Sequence, residues 1–378
     1  MKKIVGIKIK KLREEIGLTQ ENLAKAVGLS SEFISFLELG KRDPSLESLL
    51  KIARFFKKDI SYFLIEKDDD FDILMKEHEL QKKAKREIRV FQNYCKNYIK
   101  LEEQTGRCLR VAPIYSYINP EKMAEEERRR LGLGFEPIKN IFSLIELNGL
   151  RLLKLPLSEE SKTSGIFLFI EKKQAAFALI NSNQPFENQV LMAAHEYCHY
   201  LKDRFDGPIV DNPDIFVDEY LPLYPGRENF AQIFALRFLI PTNRAKEIIE
   251  RDFRTKRLNF DHVIYLKNYF GVGSQAIIKI LREFEYLSKT KSKEYFKIDT
   301  ERYENVVLKG ERKEGKKRIK GHKKIEISDR FKSLALESFH KKKIDAERLS
   351  KLIHVDKDII IDFVKNKRLL PYGLSTHE

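Results

Sequence analysis

Apolar residues recur at helical spacing through the first 66 residues, and short polar breaks interrupt the pattern. Ile9, Leu12 and Ile16 lie on one stripe of a helix, and the pattern resumes at Leu23. Later apolar segments in this stretch also follow residues that favour helix ends or helix starts. We therefore predict four short helices within residues 6–66.

Local signals set the ends of these helices. Thr19 is placed to cap the start of the second helix with its side chain. Gly28 is placed to end that helix, because glycine tolerates the left-handed conformation that helix ends adopt. Ser30 or Ser31 can cap the third helix, and Asp43-Pro44-Ser45 opens the fourth. The two short helices around Gly28 form a helix-turn-helix pattern.

Beyond residue 66 the pattern changes to a mixture of helices and short strands. Residues 67–110 begin as an acidic segment and continue into a charged helix. The apolar side of that helix comprises Phe91, Tyr94, Tyr98 and Leu101. Two apolar runs, 165–170 and 175–180, predict strands among helices. The fold class should therefore be α+β and predominantly α.

The same pattern predicts six segments. They are a helical domain at 1–66, a linker and charged helix at 67–117, a mixed domain at 118–256, a helical extension at 257–300, a basic linker at 301–328 and a small helical unit at 329–378.

The charge balance favours an acidic partner. Lys and Arg number 72 against 57 Asp and Glu, which gives a formal charge of +15. Such a charge fits nucleic acid, although basic proteins also bind membranes or acidic proteins. Three cysteines argue for a reducing compartment. Charged residues interrupt the start of the chain, and no run of 18 apolar residues occurs. We expect a cytoplasmic protein with no membrane partner.

The stretch from Leu12 to Phe63 resembles the phage-repressor-like (Xre) family over its whole length. The matching residues are Leu18-Thr19-Gln20, Leu23-Ala24, Val27-Gly28-Leu29-Ser30, Ile34-Ser35, Glu38, Gly40-Lys41-Arg42, Pro44-Ser45 and Leu49. The resemblance implies a lambda-repressor-like helical domain that binds a double-stranded DNA operator. Modules of this kind bind paired half-sites as homodimers, which we expect here too.

This resemblance also implies which side chains meet DNA. The residues that would face the major groove are Ser30, Ser31, Glu32 and Ser35, and those that would approach the backbone are Gln20, Lys41 and Arg42. The alternative is a helical bundle used for protein contacts. Glu32 and Glu38 place negative charge near the proposed face, which argues against tight binding by this domain alone.

A second motif lies in an apolar helical stretch, His195-Glu196-Tyr197-Cys198-His199. Two histidines four residues apart share one face of a helix and can hold one metal ion. Glu196 can reach a water on that ion. Cys198 points off the histidine face and is interpreted as a packed residue. The alternative is a buried helix with an incidental histidine pair, because the motif alone is not decisive.

A third ligand separates these interpretations, because a catalytic zinc ion usually takes three protein ligands. The metzincin extension needs a glycine and a histidine where this chain has Lys202 and Phe205, so that class is excluded. Glu228 lies in the first turn of a later helix and can face the histidines. It could also be a helix-terminal charge or an exposed acid. Lesser ligand candidates are Asp203, Asp206, Asp218 and Glu219.

The two helices resemble the ImmA/IrrE family of metallopeptidases, over about residues 118–245. The matching residues of the second helix are Glu228, Ala231, Gln232, Phe234-Ala235 and Leu239-Ile240-Pro241. Gln232 and Ile240 depart from the family's Asn and Met. The resemblance implies a zincin-like domain with a small β-sheet. In it, His195, His199 and Glu228 hold Zn²⁺, with Mn²⁺ as a possible ion in activity, and Glu196 is the general base.

The C-terminal third carries two further helical units. Residues 266–278 have a helix, a glycine turn and a second helix, and residues 334–361 give a similar small unit. For both, core packing is favoured over a second DNA contact. The basic stretch 312–324 could contact phosphates or simply be a solvated linker.

Together these patterns predict a transcriptional regulator with a zinc endopeptidase domain. By resemblance, the peptidase would cleave a helix-turn-helix repressor, or this chain itself, to relieve repression in a stress or mobile-element response. One alternative is a regulator whose metal site is structural or sensory. Another is an antitoxin-like DNA-binding partner of a neighbouring gene product.

Overall fold

The computed structural model describes residues 2–56, 58, 60–64, 82–116, 119–157, 163–211, 226–255, 257–308 and 325–365. The chain divides into two compact units, Met1–Ile73 and Leu74–Glu378. Each unit has a hydrophobic core of its own. The division falls within the segment predicted as linker and charged helix.

The first unit is a small helical bundle. Its described helices are α1 (Lys2–Glu15), α2 (Gln20–Val27), α3 (Ser31–Glu38), α4 (Leu46–Phe55) and the short α5 (Ser61–Leu64). The four predicted helices are present, and α1 begins earlier than the apolar pattern indicated. Its core includes Ile9, Leu23, Ile34 and Ile52, all fully buried.

Gly6 allows two helices of this bundle to approach closely. A Cβ atom placed on Gly6 would lie 1.9 Å from the backbone oxygen of Leu37. Since backbone cannot move aside as a long side chain can, α1 and α3 pack this tightly only with glycine at this position.

The expected caps are present at the ends of α2 and α3. Thr19 accepts a hydrogen bond from the backbone N–H of Asn22, and Ser30 accepts one from that of Phe33. Gly28 has a φ of 66° and ends α2 in the left-handed region. The short-range signals therefore fixed the geometry of the helix-turn-helix.

The second unit contains a five-stranded mixed sheet in its described residues, with the order β4-β2-β3-β1-β5. The strands are β1 (Leu150–Leu155), β2 (Gly165–Ile170), β3 (Ala175–Asn181), β4 (Ile209–Asp211) and β5 (Glu326–Ile327). β1 and β3 are parallel, and the other pairs are antiparallel. The strands β2 and β3 were predicted. The buried β1 has no clear alternation, and β4 and β5 are too short to give a pattern.

Helices surround this sheet. They are α6 (Lys82–Thr105), α7 (Pro120–Arg130), α8 (Ile141–Leu147), α9 (Phe186–Lys202), α10 (Arg227–Leu239), α11 (Thr242–Ile248), α12 (Phe260–Phe270), α13 (Ser274–Glu283), α14 (Lys289–Phe296), α15 (Thr300–Tyr303), α16 (Asp329–His340), α17 (Ala346–Ile353) and α18 (Lys357–Lys365). α9 packs on β2 and β3, and α10 packs on α9 and α7. The expected class, α+β and predominantly α, is confirmed.

The C-terminal helices belong to the same compact unit as the sheet. The ring of Phe331 on α16 stacks on Tyr94 of α6, with centroids 4.9 Å apart. Glu102 of α6 accepts hydrogen bonds from Arg151 of β1 at 2.6 Å and from Arg330 of α16 at 2.7 Å. The predicted apolar side of α6 is thus the surface on which α16 and the sheet meet.

The helix pair around Gly271 is also part of the core. Gly271 ends α12 with a φ of 67°, and Ile277, Ile278 and Leu281 of α13 are buried. These contacts favour the packing role for this pair. None of the described helices is both long and apolar enough to cross a membrane.

Candidate metal centre and DNA-binding surface

Helix α9 brings the two histidines of the motif together. His195 and His199 are one turn apart and almost completely buried. Their Nε2 atoms lie 3.0 Å apart, so both rings point at the same spot. Small and apolar neighbours such as Ala193 and Ala194 seat the helix against the sheet. The helix and its packing therefore place both imidazoles at one site.

Glu228 joins the histidines from the first turn of α10. Its Oε2 atom lies 3.3 Å from Nε2 of His195 and 3.3 Å from Nε2 of His199. Its other oxygen accepts a hydrogen bond from Nε of Arg227 at 2.9 Å. Two alternative roles were open for Glu228, a helix-terminal charge and an ordinary exposed acid. The second does not account for these contacts with both histidines.

A fourth donor, Asp211, was not anticipated from the sequence. It ends strand β4, is 2% exposed, and places Oδ2 3.4 Å from Nε2 of His195 and 3.8 Å from Nε2 of His199. The only sequence signal is an acid at the end of the short run Ile209-Val210-Asp211, which follows a Gly-Pro pair. Pairing of β4 with β2 is what brings this acid to the histidines.

The lesser ligand candidates have other outcomes. Asp203 accepts from Nδ1 of His199 at 2.8 Å, an arrangement that orients a ligating histidine from behind. Asp206 is not in the donor cluster that the described residues form. Asp218 and Glu219 lie outside the described residues. Burial raises the pKa of the Cys198 thiol well above its usual range, which agrees with a packed and not a ligating residue.

The cluster fits a zinc ion. The atoms of His195, His199, Asp211 and Glu228 that could bind metal all lie within 4.8 Å of one another. Neighbouring ligands of a tetrahedral zinc ion lie about 3.3 Å apart, as its bond lengths require, and the distances above fall around that value. Neither carboxylate oxygen of Asp211 has a hydrogen-bond partner in the described residues, although both are buried. A buried carboxylate without a donor is what a bound cation would satisfy.

Glu196 lies beside the cluster without joining it. Both of its oxygens are buried and have no hydrogen-bond partner in the described part of the chain. A Cβ atom on Gly165 would lie 2.0 Å from Oε1 of Glu196, so glycine at the start of β2 makes room for this carboxylate. Burial, followed by the negative charge of Asp211, raises the pKa of Glu196 well above its usual range. The Glu196 carboxyl group is thus held beside the donor cluster with a raised pKa.

Opposing effects act on the titration of the ligands. Burial lowers the pKa of His199, but hydrogen bonds to Asp203 and Glu228 outweigh it and raise the value to about 10. Burial likewise lowers the pKa of His195, and Asp211 and Glu228 reverse the shift. Without a cation, the carboxylates therefore favour protonated imidazoles. A metal ion would compete with those protons.

Three tyrosines, Tyr197, Tyr200 and Tyr224, have hydroxyl groups that could donate a hydrogen bond to an oxyanion, and the two that the structure describes serve other contacts. Tyr197 donates to Glu127 on α7, which also accepts from Arg130 at 2.6 Å. The Tyr200 hydroxyl accepts from the backbone N–H of Ala112 at 2.7 Å. Tyr224 lies outside the described residues. Tyr197 and Tyr200 hold α9 in place and do not face the cluster.

The proposed DNA-contacting residues share the surface of the first unit. Ser30, Ser31, Glu32, Lys41 and Arg42 are exposed, and Gln20 and Ser35 are half-buried. Three of these side chains already have partners inside the unit. The Arg42 guanidinium lies 4.9 Å from the centroid of the Phe33 ring. Ser30 caps α3, and Gln20 donates to Glu38 at 2.7 Å.

Glu38, expected near the proposed DNA-binding face, lies beside Gln20, one of the proposed contact residues. It is buried and receives two hydrogen bonds from Arg13, at 2.6 and 3.0 Å. Its charge is therefore neutralised internally, and Glu32 is the acid that remains near the proposed face.

Comparisons with known proteins match both units. A model of helix-turn-helix domains matches residues 9–63, and the model of the IrrE N-terminal-like domain of the M78 peptidases matches residues 148–282. An uncharacterized HTH-type transcriptional regulator of Archaeoglobus fulgidus is 46% identical over 63 residues, which are 17% of this chain and 90% of the relative. One from Methanocaldococcus jannaschii is 46% identical over 63 residues, 17% of this chain and 96% of the relative.

The chain belongs to the HTH-type transcriptional regulators through its first unit, and it carries a domain of the M78 peptidase family in its second. The apo competence regulator ComR from Streptococcus vestibularis is similar at 14% identity over 78% of this chain and 90% of that chain. The TM-score of 0.16 is too low for that likeness to carry an argument.

Proposed function

We propose that this protein is a DNA-binding transcriptional regulator whose second unit is a zinc-dependent endopeptidase. The observation that carries the proposal is the convergence of His195, His199 and Glu228 on one point, with Glu196 beside it. Two histidines and a glutamate are the ligand set of one class of catalytic zinc sites. The M78 match over residues 148–282 gives independent support.

The residues present would divide the chemistry as follows. His195, His199 and Glu228 would hold the ion, with Asp203 fixing the ring of His199. Zinc, when bound, polarises the scissile carbonyl and makes water a better nucleophile. Glu196 would take the proton of the attacking water on a carboxylate oxygen and pass it to the leaving amine nitrogen. Burial raises the pKa of Glu196, which favours the uptake of a proton in this exchange.

The first unit would supply the setting. It would bind a double-stranded operator as a homodimer in the cytoplasm. The residues at the major groove would be Ser31, Glu32 and Ser35, and those at the DNA backbone would be Lys41 and Arg42. The substrate we propose is a helix-turn-helix repressor or this chain itself, cleaved in a stress or mobile-element response. The two modules on one chain support this coupling.

A second candidate function has one observation in its favour. Four protein ligands and no open position are typical of structural zinc sites, and Asp211 supplies a fourth donor here. The second unit would then sense or require a metal ion without cleaving anything. Under this function, Glu196→Ala would leave regulation intact and His195→Ala would disturb folding or the response.

The deciding experiment is a cleavage assay of the purified full chain. The chain would be incubated with Zn²⁺ or Mn²⁺ and with repressors encoded near its own gene, and the products identified by mass spectrometry. We expect discrete fragments with the wild type and none with Glu196→Gln, which keeps the ligands. If the wild type, with metal bound, cuts neither a repressor nor itself, the peptidase half of the proposal is wrong.

A further inference from the structure

The metal cluster contains one protein donor more than catalysis uses. A catalytic zinc ion keeps one position open for water or substrate, whereas a closed site has four protein ligands. Oδ2 of Asp211 lies 3.4 Å from Nε2 of His195 and 3.8 Å from Nε2 of His199. Oε2 of Glu228 lies 3.3 Å from each of the same two atoms, so the two carboxylates are about equally close to the histidines. With Asp211 in the ligand set, the fourth position of a tetrahedral ion is occupied by this chain.

Charge supports the same ligand set. Asp211 is 2% exposed, its oxygens have no hydrogen-bond donor in the described residues, and Glu196 brings another carboxylate next to it. A divalent cation bound by two neutral histidines and the carboxylates of Asp211 and Glu228 makes a cluster of zero net charge. A buried cluster without net charge avoids the large desolvation cost of an isolated ion. With Glu228 as the only anionic ligand, the cluster keeps one positive charge for substrate.

The strand that carries Asp211 also covers a second part of the site. β4 pairs antiparallel with β2, so that Asp211 lies opposite Gly165 and Val210 opposite Ile166. Gly165 is the residue whose Cα faces the Glu196 carboxylate. An extended peptide that adds to a sheet edge pairs through its backbone, in the way β4 pairs here. A substrate lying along β2 beside Glu196 would need the edge that β4 occupies.

We propose that Asp211 is a fourth protein ligand of the metal ion, and that β4 holds the centre closed by occupying the edge of β2 where an extended substrate would bind. This inference rests on the proposed function. The resting protein would be a latent peptidase that binds its metal ion tightly. Substrate of extended conformation replaces β4 on β2, and the fourth position opens when Asp211 withdraws.

The proposal is tested on the metal centre itself, without a peptide substrate. The full chain is loaded with Co²⁺, whose visible absorption reports coordination, and titrated with acetohydroxamate, a small chelating ligand of open metal sites. If the closed state is populated at 90 to 99%, the apparent affinity for acetohydroxamate is reduced about 10- to 100-fold. We expect Asp211→Ala to regain that factor and to weaken Co²⁺ and Zn²⁺ binding, measured against a competing chelator, by at least about tenfold.

Two variants serve as matched controls. Asp203→Ala removes the partner of His199 Nδ1 without removing a ligand. It should weaken metal binding and leave the acetohydroxamate affinity unchanged. Glu196→Gln should leave the metal affinity nearly unchanged, because Glu196 is outside the donor set. Of these three variants, only Asp211→Ala is expected to move both quantities in opposite directions.

A variant in β4 separates the loss of the Asp211 ligand from the uncovering of the edge of β2. Val210→Pro, opposite Ile166, fixes the backbone φ at about −65°, away from the extended strand value, but it leaves Asp211 in the chain. We expect it to raise the acetohydroxamate affinity as Asp211→Ala does. Circular dichroism of the metal-free variants checks folding, and Val210→Pro keeps the test valid if Asp211→Ala does not fold.

The outcomes distinguish the two proposals. If the wild type binds neither Co²⁺ nor Zn²⁺, the proposed function fails. If the wild type binds metal and acetohydroxamate as tightly as both Asp211→Ala and Val210→Pro do, the centre is open at rest and this inference is overturned while the peptidase proposal stands.

Discussion

Both units of this protein bury acidic side chains, but they surround them with different partners. In the first unit, Glu38 is surrounded by donors, with Arg13 bound through two hydrogen bonds and Gln20 through a third. In the second unit, Asp211 and Glu196 are buried without a hydrogen-bond donor in the described residues. Burying a charge is costly unless it is paired. The first cluster is complete as it stands, whereas the second is arranged to receive a cation and a substrate.

This comparison teaches which buried charges signal function. A satisfied pair such as Arg13 and Glu38 holds α1 against α3 and offers nothing to a ligand. A buried carboxylate without a hydrogen-bond donor persists only where the rest of the fold holds it in place. Here α9, α10, β2 and β4 together hold such groups at one site. The following predictions test that contrast, from the largest effect to the smallest.

Replacing Glu196 should have the largest effect. We expect Glu196→Gln to lower peptidase activity about 100- to 10,000-fold, because the amide cannot move a proton. Metal content, measured by mass spectrometry of the native protein, should stay at the wild-type level. Retained activity with bound metal would show that Glu196 is a buried acid without a chemical role.

Metal should stabilise the second unit and leave the first unchanged. A ligand at 1,000 times its Kd stabilises the folded state by about 4 kcal/mol. Hydrogen exchange should therefore slow in α9 and β2 on adding Zn²⁺, with no change in α1 to α4. His199→Ala is the control and should abolish the difference. Equal protection of α9 and β2 with and without zinc would contradict the reading of the second cluster as a cation site.

Breaking the pair in the first unit should destabilise it without affecting the metal centre. Glu38→Ala takes from buried Arg13 the acceptor of two hydrogen bonds and leaves those to Leu18 and Glu14, which costs about 3 kcal/mol. The exposed pair of Glu21 and Lys25 offers a matched control, since removing Glu21 should cost less than about 1 kcal/mol. Denaturant unfolding of both variants gives these values. Similar losses in the two variants would mean that Glu38 is not the buried anchor described above.

A methyl group at Gly165 should disturb the position of Glu196. Its Cβ would lie 2.0 Å from Oε1, so either β2 or the carboxylate must shift. We expect Gly165→Ala to lower kcat/KM about 100-fold, the scale of a 1 Å misplacement, with metal binding retained. Gly226→Ala is the control, because the nearest atom to its Cβ is 4.0 Å away. Unchanged kcat/KM in Gly165→Ala would contradict the assigned role of Glu196.

The smallest predicted effect concerns the exposed charges of the first unit. If Lys41 contacts a DNA phosphate, Lys41→Ala should reduce the slope of log affinity against log salt by about 1. Lys51→Ala removes another exposed charge, one that pairs with Glu47 on α4, and should leave the slope unchanged. Operator titrations at several salt concentrations measure both. An unaltered slope for Lys41→Ala would remove this residue from the proposed interface.

The amino-acid sequence determined the parts of this protein that local physics decides. Thr19, Gly28 and Ser30 fix helix ends within a few residues of themselves, so the helix-turn-helix was predictable in detail. The spacing of His195 and His199 is a property of one helix, and Glu228 had a recognisable place in the first turn of another. The strands β2 and β3 were predicted because their apolar runs are long enough to be read.

Tertiary structure alone decided where the other charges went. Asp211 reaches the histidines because a three-residue strand pairs with β2, and so short a strand leaves no periodic signal. Glu38 was expected near the proposed DNA-binding face, and only the fold shows that it is buried against Arg13, a residue 25 positions away. In both cases the decisive contact is between residues far apart in sequence. The local sequence pattern therefore does not predict which buried carboxylate pairs with a cationic side chain and which lacks such a partner.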